Sequence, residues 1–202
     1  MAQAHSKPVV SITICRGIVN STVMVRAFVA LELSGDTREQ LAGAQDVLRG
    51  CSARLTFVDP ALIHITMKFL GEVDEKDVPL VIATLRSIQF TPFSVTAGCV
   101  TVNNPRRPHT VWCVVEDGGK SKELFKRVEA ALEPLGFLRE TRPFTPHATV
   151  ARVKVADPSL FRQIDLLKDR TYGSCGITGL KLKKSTLTPK GPVYEDLLEV
   201  AW

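Results

Sequence analysis

The sequence predicts an α+β fold of two pseudo-symmetric lobes, each a mostly antiparallel sheet with helices on the outside. Composition is one basis for this prediction, because 45% hydrophobic and 23% charged residues are ordinary for a globular protein. The other basis is a repeat: each half of the chain runs strand, helix, strand with a His-x-Thr motif, helix and strand. The stretch from opening strand to histidine is similar in both halves, from Phe28 to His64 and from Trp112 to His147. We expect a central cleft that carries both motifs.

Short apolar runs that end at turn residues predict the strands. The run at residues 26–33, for example, is followed at once by Ser34 and Gly35. In chain order the predicted strands are residues 26–33, 55–58, 62–70, 93–102, 111–116, the run that begins at His147, residues 177–184 and a last strand that ends at Val200. Gly98 indicates a bulge in the fourth strand. A parallel nucleotide-binding sheet is the alternative, but no Gly-rich fingerprint follows the first strand.

Capping residues and the helical spacing of apolar residues predict four helices between the strands. Asp36 with Glu39 predicts a capping box at the start of the first helix, and Asp74 is expected to cap the second. The third helix is predicted at residues 122–135 and the fourth at residues 159–168. The expected inward-facing residues of the first three helices are Leu41, Ala44, Leu48, Val78, Val81, Ile82, Leu85, Ile88, Leu124, Val128, Ala131, Leu132 and Leu135.

Residues 1–23 are predicted to be an N-terminal extension outside the core, and residues 24–202 to be the bilobal domain. The extension contains Lys7 and Arg16 but no acidic residue, and its short apolar run is interrupted by a cysteine and an arginine. Such a run is weak as a signal peptide. A domain-like pattern begins only at Met24, which is therefore the alternative start site.

Charge, cysteine content and hydropathy narrow the classes of function. A net charge of +5 and a pI of about 9.0 are compatible with a polyanionic partner such as RNA, although solvated surface charge is the commoner explanation. Five widely spaced cysteines without a Cys-x-x-Cys pair argue against a disulfide framework and a structural zinc site. They fit a reducing cytoplasm, and Cys113 lies in an apolar run that predicts a core position. No apolar run approaches the roughly 20 residues that cross a bilayer.

Two His-x-Thr motifs are the most informative feature of the sequence. Successive side chains of a strand point to opposite faces, so His64 and Thr66 should share one face, as should His147 and Thr149. The opposite faces carry the apolar residues Ile63, Ile65, Met67, Ala148 and Val150. A single histidine in a strand is more often a half-buried structural residue. A second histidine in the same frame favours a functional pair.

Two imidazoles across a cleft suit paired acid and base catalysis near neutral pH. A phosphodiester fits best, because one histidine could activate water or a hydroxyl while the other protonates the leaving oxygen. The Thr66 and Thr149 hydroxyls would bind the non-bridging oxygens, and Arg152 would add positive charge for the transition state. This arrangement requires no metal and no other cofactor.

A metal site is the main chemical alternative. Two histidines could bind zinc, but a catalytic zinc site usually has a third protein ligand, and neither motif contains an adjacent carboxylate or thiolate. His109 could join them in principle, although its place beside a Pro-rich loop favours a surface position. That loop contains Arg106 and Arg107, which could touch phosphates or simply be solvated. His5 falls in the extension and is expected to be inert.

The motifs and their surroundings resemble the 2H phosphoesterase superfamily, and within it the RNA 2′,3′-cyclic phosphodiesterase family, also called 2′-5′ RNA ligase. The resemblance runs from about Met24 to the C-terminus. The segments that carry it are residues 24–30, 64–73, 104–108, 132–137, 142–152 and 185–195. One His-x-Thr motif alone would say little about the family, but two such motifs among these segments in this order are highly specific for it.

The resemblance implies a bilobal α+β fold that hydrolyses RNA 2′,3′-cyclic phosphate ends to 2′-phosphomonoesters without metal. It implies that His64 is the general acid for the ribose O3′ and that His147 is the general base for water. The residues that match phosphate- and nucleotide-binding positions are Thr66, Thr149, Arg152 and Phe69. Run backwards, the same site would join such an end to a 5′-hydroxyl as a 2′-5′ linkage without ATP. The expected partner is RNA or an oligonucleotide with a cyclic phosphate end, tRNA fragments included. We expect a cytoplasmic monomer with no cofactor and no membrane association.

Two non-enzymatic alternatives follow from the same features. One is a nucleotide- or RNA-binding module that keeps the cleft without catalysis, and the presence of both histidines and both threonines argues against it. The other is a general RNA-binding protein, which would need a strongly basic and aromatic surface. An aromatic content of 6% makes the second alternative weak. Turnover of a cyclic-phosphate substrate separates the enzyme from both.

Overall fold

A computed structural model describes residues 23–189 and 191–202 of the chain. The predicted extension lies outside these residues, apart from Val23. The strands are β1 (Met24–Glu32), β2 (Arg54–Phe57), β3 (His64–Asp74), β4 (Phe93–Val102), β5 (Thr110–Glu116), β6 (His147–Val155), β7 (Ser174–Ile177), β8 (Gly179–Thr188) and β9 (Gly191–Ala201). The α-helices are α1 (Gly35–Leu48), α2 (Val78–Arg86), α3 (Lys120–Leu132) and α4 (Ser159–Asp165). Short 3-10 helices cover Pro60–Leu62, Glu75–Asp77 and Glu133–Leu135.

These strands form one antiparallel sheet in the order β7-β4-β5-β6-β3-β1-β8-β9, with β2 beside β6. The two strands in the middle, β3 and β6, pair through Ile65 and Ala148. The contact between β3 and β6 is therefore short, whereas β1 pairs with β3 along its whole length, from Met24 to Glu32. The antiparallel α+β prediction is confirmed, and the parallel alternative is wrong for the residues that the structure describes.

The four helices pack on one face of the sheet and share a hydrophobic core with it. Strand β1 contributes Ala27, Val29 and Leu31 to this core, whereas Phe28 and Ala30 are buried on the opposite face because side chains alternate along a strand. The predicted inward residues of the helices that are buried are Leu41, Ala44, Leu48, Val81, Leu85, Ile88, Leu124, Val128 and Leu132. The face of the sheet away from these helices is therefore the one that can carry polar groups.

The capping box predicted from Asp36 and Glu39 is wrong. Ser34 caps α1 instead: its backbone is extended, and its hydroxyl oxygen accepts a hydrogen bond from the Thr37 backbone N–H at 3.2 Å. The helix begins at Gly35, so Asp36 lies inside the first turn. There its negative charge still interacts favourably with the helix dipole.

Asp74 has a local role that differs in part from the prediction, whereas Gly136 and Gly98 have the roles expected of glycine at a helix end and in a bulge. The Asp74 carboxylate accepts from the Lys76 backbone N–H at 3.2 Å, so it caps the 3-10 helix ahead of α2 and not α2 itself. Gly136 follows α3 and its 3-10 turn with a φ of 88°, a left-handed conformation that favours glycine. The bulge at Gly98 is confirmed, since the register of β4 against β5 shifts between Ala97 and Val100.

The sequence also predicted that the cysteines form no disulfide framework and that no segment is apolar and long enough to cross a membrane. Cys51, Cys99, Cys113 and Cys175 are free thiols, and burial raises the pKa of Cys113 to about 12, so this core thiol stays protonated. In the described part of the chain, every helix is too short or too polar to cross a membrane.

Candidate active site

Both His-x-Thr motifs lie at the start of a strand, on the face of the sheet away from the helices. Ile63, just before β3, and Ile65 within it are fully buried in the core and Met67 is 2% exposed, whereas His64 and Thr66 are partly exposed. In β6, His147 and Thr149 are partly exposed in the same way, with Ala148 and Val150 in the core. The alternation predicted from the sequence is confirmed up to each threonine.

A β-bulge follows the threonine in each motif strand. Thr66 pairs with Ala30 of β1, but Lys68 pairs with Val29, so Met67 is the extra residue. In β6 the register against β5 shifts between Thr149 and Ala151, so Val150 is the extra residue in the equivalent position. A bulge places two consecutive residues on the same side and reverses the alternation beyond it.

The bulges decide where Phe69 and Arg152 point. Each lies three residues after the motif threonine, and strict alternation from that threonine would send it to the core face. Beyond the bulge each returns to the histidine face: Phe69 is 68% exposed, and the Arg152 guanidinium donates from Nη1 to the Thr110 hydroxyl at 3.0 Å. The structure therefore brings both residues to the same face as the two histidines.

The seam between β3 and β6 brings the two motifs side by side. Ile65 and Ala148 are direct partners in an antiparallel pair. The residues on either side of such a pair are opposed in reverse order, which places His64 beside Thr149 and Thr66 beside His147. Four polar side chains from two distant motifs therefore form one group.

Both imidazoles are held in the same tautomer. The His64 Nδ1 lies 2.7 Å from the Leu62 carbonyl oxygen, and the His147 Nδ1 lies 2.7 Å from the Thr145 carbonyl oxygen. A carbonyl can only accept, so each Nδ1 carries a proton and each Nε2 has a lone pair in the neutral ring. The His64 Nε2 is 3.0 Å from the Thr66 hydroxyl, which donates to it.

Aromatic rings surround His64 and change its acidity. Phe28 stacks on the imidazole with 5.0 Å between ring centres, and Tyr194 meets it edge-on at 5.7 Å. This burial lowers the pKa of His64 to about 4, and the positive charges of Lys183, Arg38 and Arg152 act in the same direction. His64 is therefore neutral at pH 7 when no anion is bound.

His147 has a similar but smaller set of contacts. Its ring lies 4.2 Å from that of Trp112. Burial lowers its pKa, and the positive charge of Arg152 contributes in the same direction. The positive charge of Arg152 thus lowers the pKa of both histidines, and a bound phosphate would offset it.

The sequence did not identify the charged groups that flank His64. Glu32 of β1 accepts ion pairs from Arg38 and from Lys183, whose Nζ is 2.7 Å from Glu32 and 2.6 Å from Asp196. Arg38 also donates from Nε to the Ile63 carbonyl at 2.9 Å, next to His64. The available signal was the β8–β9 hairpin, which places Lys183 opposite Asp196. Tyr194 and the rings that contact the histidines were likewise missed as site residues.

The metal alternative gains no further ligand from the structure. In residues 23–189 and 191–202, three or more His, Cys, Asp or Glu side chains do not come together in a group that could hold a metal ion. His109 is exposed, in the loop position that the sequence favoured. The site contains two imidazoles, two hydroxyls and one guanidinium, a set that can move protons and hold a phosphate anion.

Comparison with known proteins identifies a family. A family model for the 2′-5′ RNA ligase superfamily matches residues 39–182. A protein of Archaeoglobus fulgidus named RNA 2′,3′-cyclic phosphodiesterase is 34% identical over 174 residues, which are 86% of this chain and 98% of the relative. A protein of the same name from Methanothermobacter thermautotrophicus is 34% identical over 180 residues, covering 86% of this chain and 96% of the relative.

Solved structures share the fold. The crystal structure of TT0787 of Thermus thermophilus has a TM-score of 0.75 and 27% identity, and the match covers 87% of this chain and 97% of that chain. The crystal structure of E. coli LigT complexed with 3′-AMP has a TM-score of 0.72, covering 89% of this chain and 98% of LigT. At 21% identity, LigT supports the fold alone.

Proposed function

The chain belongs to the 2′-5′ RNA ligase superfamily, and we propose that it hydrolyses RNA 2′,3′-cyclic phosphate ends to 2′-phosphomonoesters. Relatives that carry the name RNA 2′,3′-cyclic phosphodiesterase match it over nearly their whole length. The observation that carries the proposal is the pair of histidines with matching tautomers, which the β3–β6 pairing places side by side together with two threonines. An acid, a base and an anion-binding group then lie within one patch of side chains.

In the proposed reaction, His147 is the general base and His64 the general acid. The His147 Nε2 takes a proton from water as the water oxygen bonds to phosphorus. The bond between phosphorus and O3′ breaks, and protonated His64 gives its Nε2 proton to O3′. The product carries a 2′-phosphate and a free 3′-hydroxyl, and the site returns to its starting state when His147 releases its proton and His64 regains one.

Arg152 and the threonines would hold the phosphate. Arg152 uses one nitrogen for Thr110 and keeps other N–H groups for non-bridging oxygens, where charge accumulates in the transition state. The Thr66 and Thr149 hydroxyls stand on the same face. Phe69 is exposed beside Phe28, with 6.0 Å between ring centres, and a free ring face of this kind can stack on a base.

Binding of a phosphate is expected to raise the pKa of His64. Burial and nearby cations lower this pKa to about 4 in the free protein, whereas a general acid must be protonated. A dianion beside the ring favours the imidazolium form. By linkage, the same anion should bind more tightly to the protein in which His64 is protonated. We therefore expect the His64 pKa measured by NMR titration to rise on addition of adenosine 2′-monophosphate.

Adenosine without phosphate is the control for this titration. It can stack on the site but brings no charge, so the His64 pKa should stay at about 4. An unchanged His64 pKa with adenosine 2′-monophosphate bound would contradict the acid role of His64.

We also propose that the sheet is organised as two pseudo-symmetric lobes with the substrate cleft between them. The sheet divides at the β3–β6 seam into β7-β4-β5-β6 and β3-β1-β8-β9. Each group has its motif strand at the inner edge and its opening strand, β5 or β1, next to it. The matching bulges after Thr66 and Thr149 support this repeat.

The free cysteines support a cytoplasmic location.

The same site could also join RNA ends, with an RNA hydroxyl as the nucleophile. A 5′-hydroxyl would replace water as nucleophile, His147 would again remove its proton, and His64 would protonate O3′. The product is a 2′-5′ linkage, and no ATP is needed because the cyclic phosphate supplies the energy. Because base, acid and leaving oxygen are the same in both reactions, one set of residues can serve hydrolysis and ligation.

Turnover of defined RNA ends tests the proposed function. We expect an oligoribonucleotide with a 2′,3′-cyclic phosphate to yield a 2′-phosphate, identified by chromatography against 2′- and 3′-phosphate standards. A partner with a 5′-hydroxyl, added at high concentration, tests ligation. Activity should be unchanged by EDTA. Tight binding without turnover would indicate the non-catalytic module, and loss of activity with EDTA would favour the metal alternative.

A further inference from the structure

Basic side chains continue along the histidine face beyond Arg152. In β6, Val153 packs against the core, and Lys154, where the register against β2 shifts, is exposed beside Arg54. In the neighbouring strand β2, Leu55 and Phe57 pack against the core. Arg54 and Thr56 therefore also point to the histidine face, and Thr56 is the direct partner of Arg152.

The loop between β4 and β5 borders this end of β6. The Val153 backbone N–H donates to the His109 carbonyl at 3.0 Å, and Thr110 holds Arg152. The loop therefore begins beside the phosphate-binding arginine and extends away from the two histidines.

Two asparagines give the loop a fixed backbone. The Asn103 side-chain oxygen accepts from the backbone N–H groups of His109 at 2.9 Å and Thr110 at 3.0 Å. The Asn104 side-chain oxygen accepts from the N–H groups of Arg106 at 2.9 Å and Arg107 at 3.3 Å. The two arginine side chains are thus presented to solvent by an ordered turn.

The cations at this end of the sheet lack carboxylate partners. Within residues 23–189 and 191–202, Arg54, Arg106, Arg107, Arg152 and Lys154 form no ion pair. Elsewhere in the same part of the chain, many exposed cations are paired with acidic residues, among them Arg49, Lys76, Lys120, Arg127, Arg139, Arg142 and Lys168. A concentration of unpaired positive charge next to a phosphate site favours a polyanionic ligand.

We propose that these five cations form a track for the phosphates of the RNA strand that leads to the cyclic end. The inference rests on the proposed function and adds the surface that receives the rest of the substrate. A 2′,3′-cyclic phosphate is a 3′ terminus, so the chain leaves the catalytic centre in one direction only. The track extends two residues past Arg152 along β6, about 7 Å, and continues into the arginine loop.

The track predicts a preference for oligonucleotides over cyclic mononucleotides. A mononucleotide carries only the phosphate at the catalytic centre, whereas a longer strand brings internal phosphates to Lys154, Arg54 and the loop. Each such contact contributes by releasing counterions and makes affinity depend on salt, with a slope of about 0.7 in log–log units per phosphate on a single strand.

The double variant Arg106→Ala/Arg107→Ala tests the track. We expect its kcat/KM for an octaribonucleotide with a 2′,3′-cyclic phosphate to fall about tenfold at low salt, well beyond its change for adenosine 2′,3′-cyclic phosphate. In a plot of log KM for the octamer against log salt concentration, the slope should decrease by about 1.4, which is about 0.7 for each of the two lost phosphate contacts. The variant Lys122→Ala/Lys126→Ala removes the same charge from exposed positions on α3, on the helix side, and serves as the matched control.

The outcomes separate the track from the proposed function. A selective loss for the octamer, absent from the α3 control, supports the track. Equal losses for both substrates, equal losses in both double variants or an unchanged salt slope would overturn it, even though hydrolysis itself stands. Failure of the unaltered protein to hydrolyse either substrate would instead refute the proposed function.

Discussion

Replacement of His147 by alanine is expected to reduce kcat/KM for an RNA 2′,3′-cyclic phosphate by about 10²–10⁴-fold, the usual contribution of a general base. The His147 Nε2 is available to water because its Nδ1 proton is committed to the Thr145 carbonyl. His64→Ala should cause a loss of similar size, since O3′ would then depart without a proton. Chromatography of the 2′-phosphate product measures both losses.

The two substitutions should leave the fold intact. Each imidazole lies on the face of the sheet away from the helices and is only partly buried, so the core between sheet and helices keeps its contacts. Circular dichroism and thermal unfolding check this point. His109→Ala is the matched control, because His109 is exposed in the β4–β5 loop and should retain activity on a cyclic mononucleotide.

A double variant distinguishes cooperation between the histidines from independent effects. An acid and a base that act in the same step give non-additive losses, so His64→Ala/His147→Ala should be little worse than either single variant. Full activity in either single variant would refute the proposed acid–base mechanism.

The sequence predicted the site as far as period-2 alternation applies. Strand alternation alone places His64 with Thr66 on one face of β3 and His147 with Thr149 on one face of β6. The similar halves of the chain predicted two motif strands at one cleft, whereas the order of strands in the sheet depends on pairings that a single sequence does not encode locally. The antiparallel pairing of β3 with β6 through Ile65 and Ala148 could be found only from the structure.

Beyond each threonine, alternation gives the wrong face. From Thr66 it would place Lys68 beside the histidine and Phe69 in the core, whereas the bulge at Met67 exchanges the two. A bulge depends on how the strand pairs with its neighbour, so the residues of β3 alone do not predict it. Phe69 was therefore assigned only through the resemblance of its motif, and Arg152 from its charge and its place three residues beyond Thr149. Ser34 was overlooked as a cap because Asp36 with Glu39 fitted the spacing of a capping box.

Lys68 is the second residue whose replacement should have a large effect, in this case on stability. The bulge turns its side chain into the core, where Lys68 is 8% and its ion-pair partner Glu129 of α3 is 4% exposed. The Lys68 Nζ also donates to the Leu138 carbonyl at 2.8 Å, and the second Glu129 oxygen accepts from the Glu140 N–H at 2.7 Å. The pair thus ties the first motif strand to the loop that leads to His147.

Lys68→Met is expected to lower the free energy of unfolding by about 3–5 kcal/mol, because it leaves the Glu129 carboxylate buried without its counter-charge. Lys68→Met/Glu129→Gln removes both charges while the Gln oxygen can still accept from Glu140, so the double variant should be more stable than Lys68→Met. Denaturant unfolding of Lys68→Met, Glu129→Gln and the double variant, each against the unaltered protein, measures the coupling. The exposed pair Lys120 and Glu123 provides the control, since Lys120→Met should change little. If the losses of stability in the two single variants simply add in the double variant, the buried pair does not couple β3 to α3. The pair would then also not be what ties β3 to the loop that leads to His147.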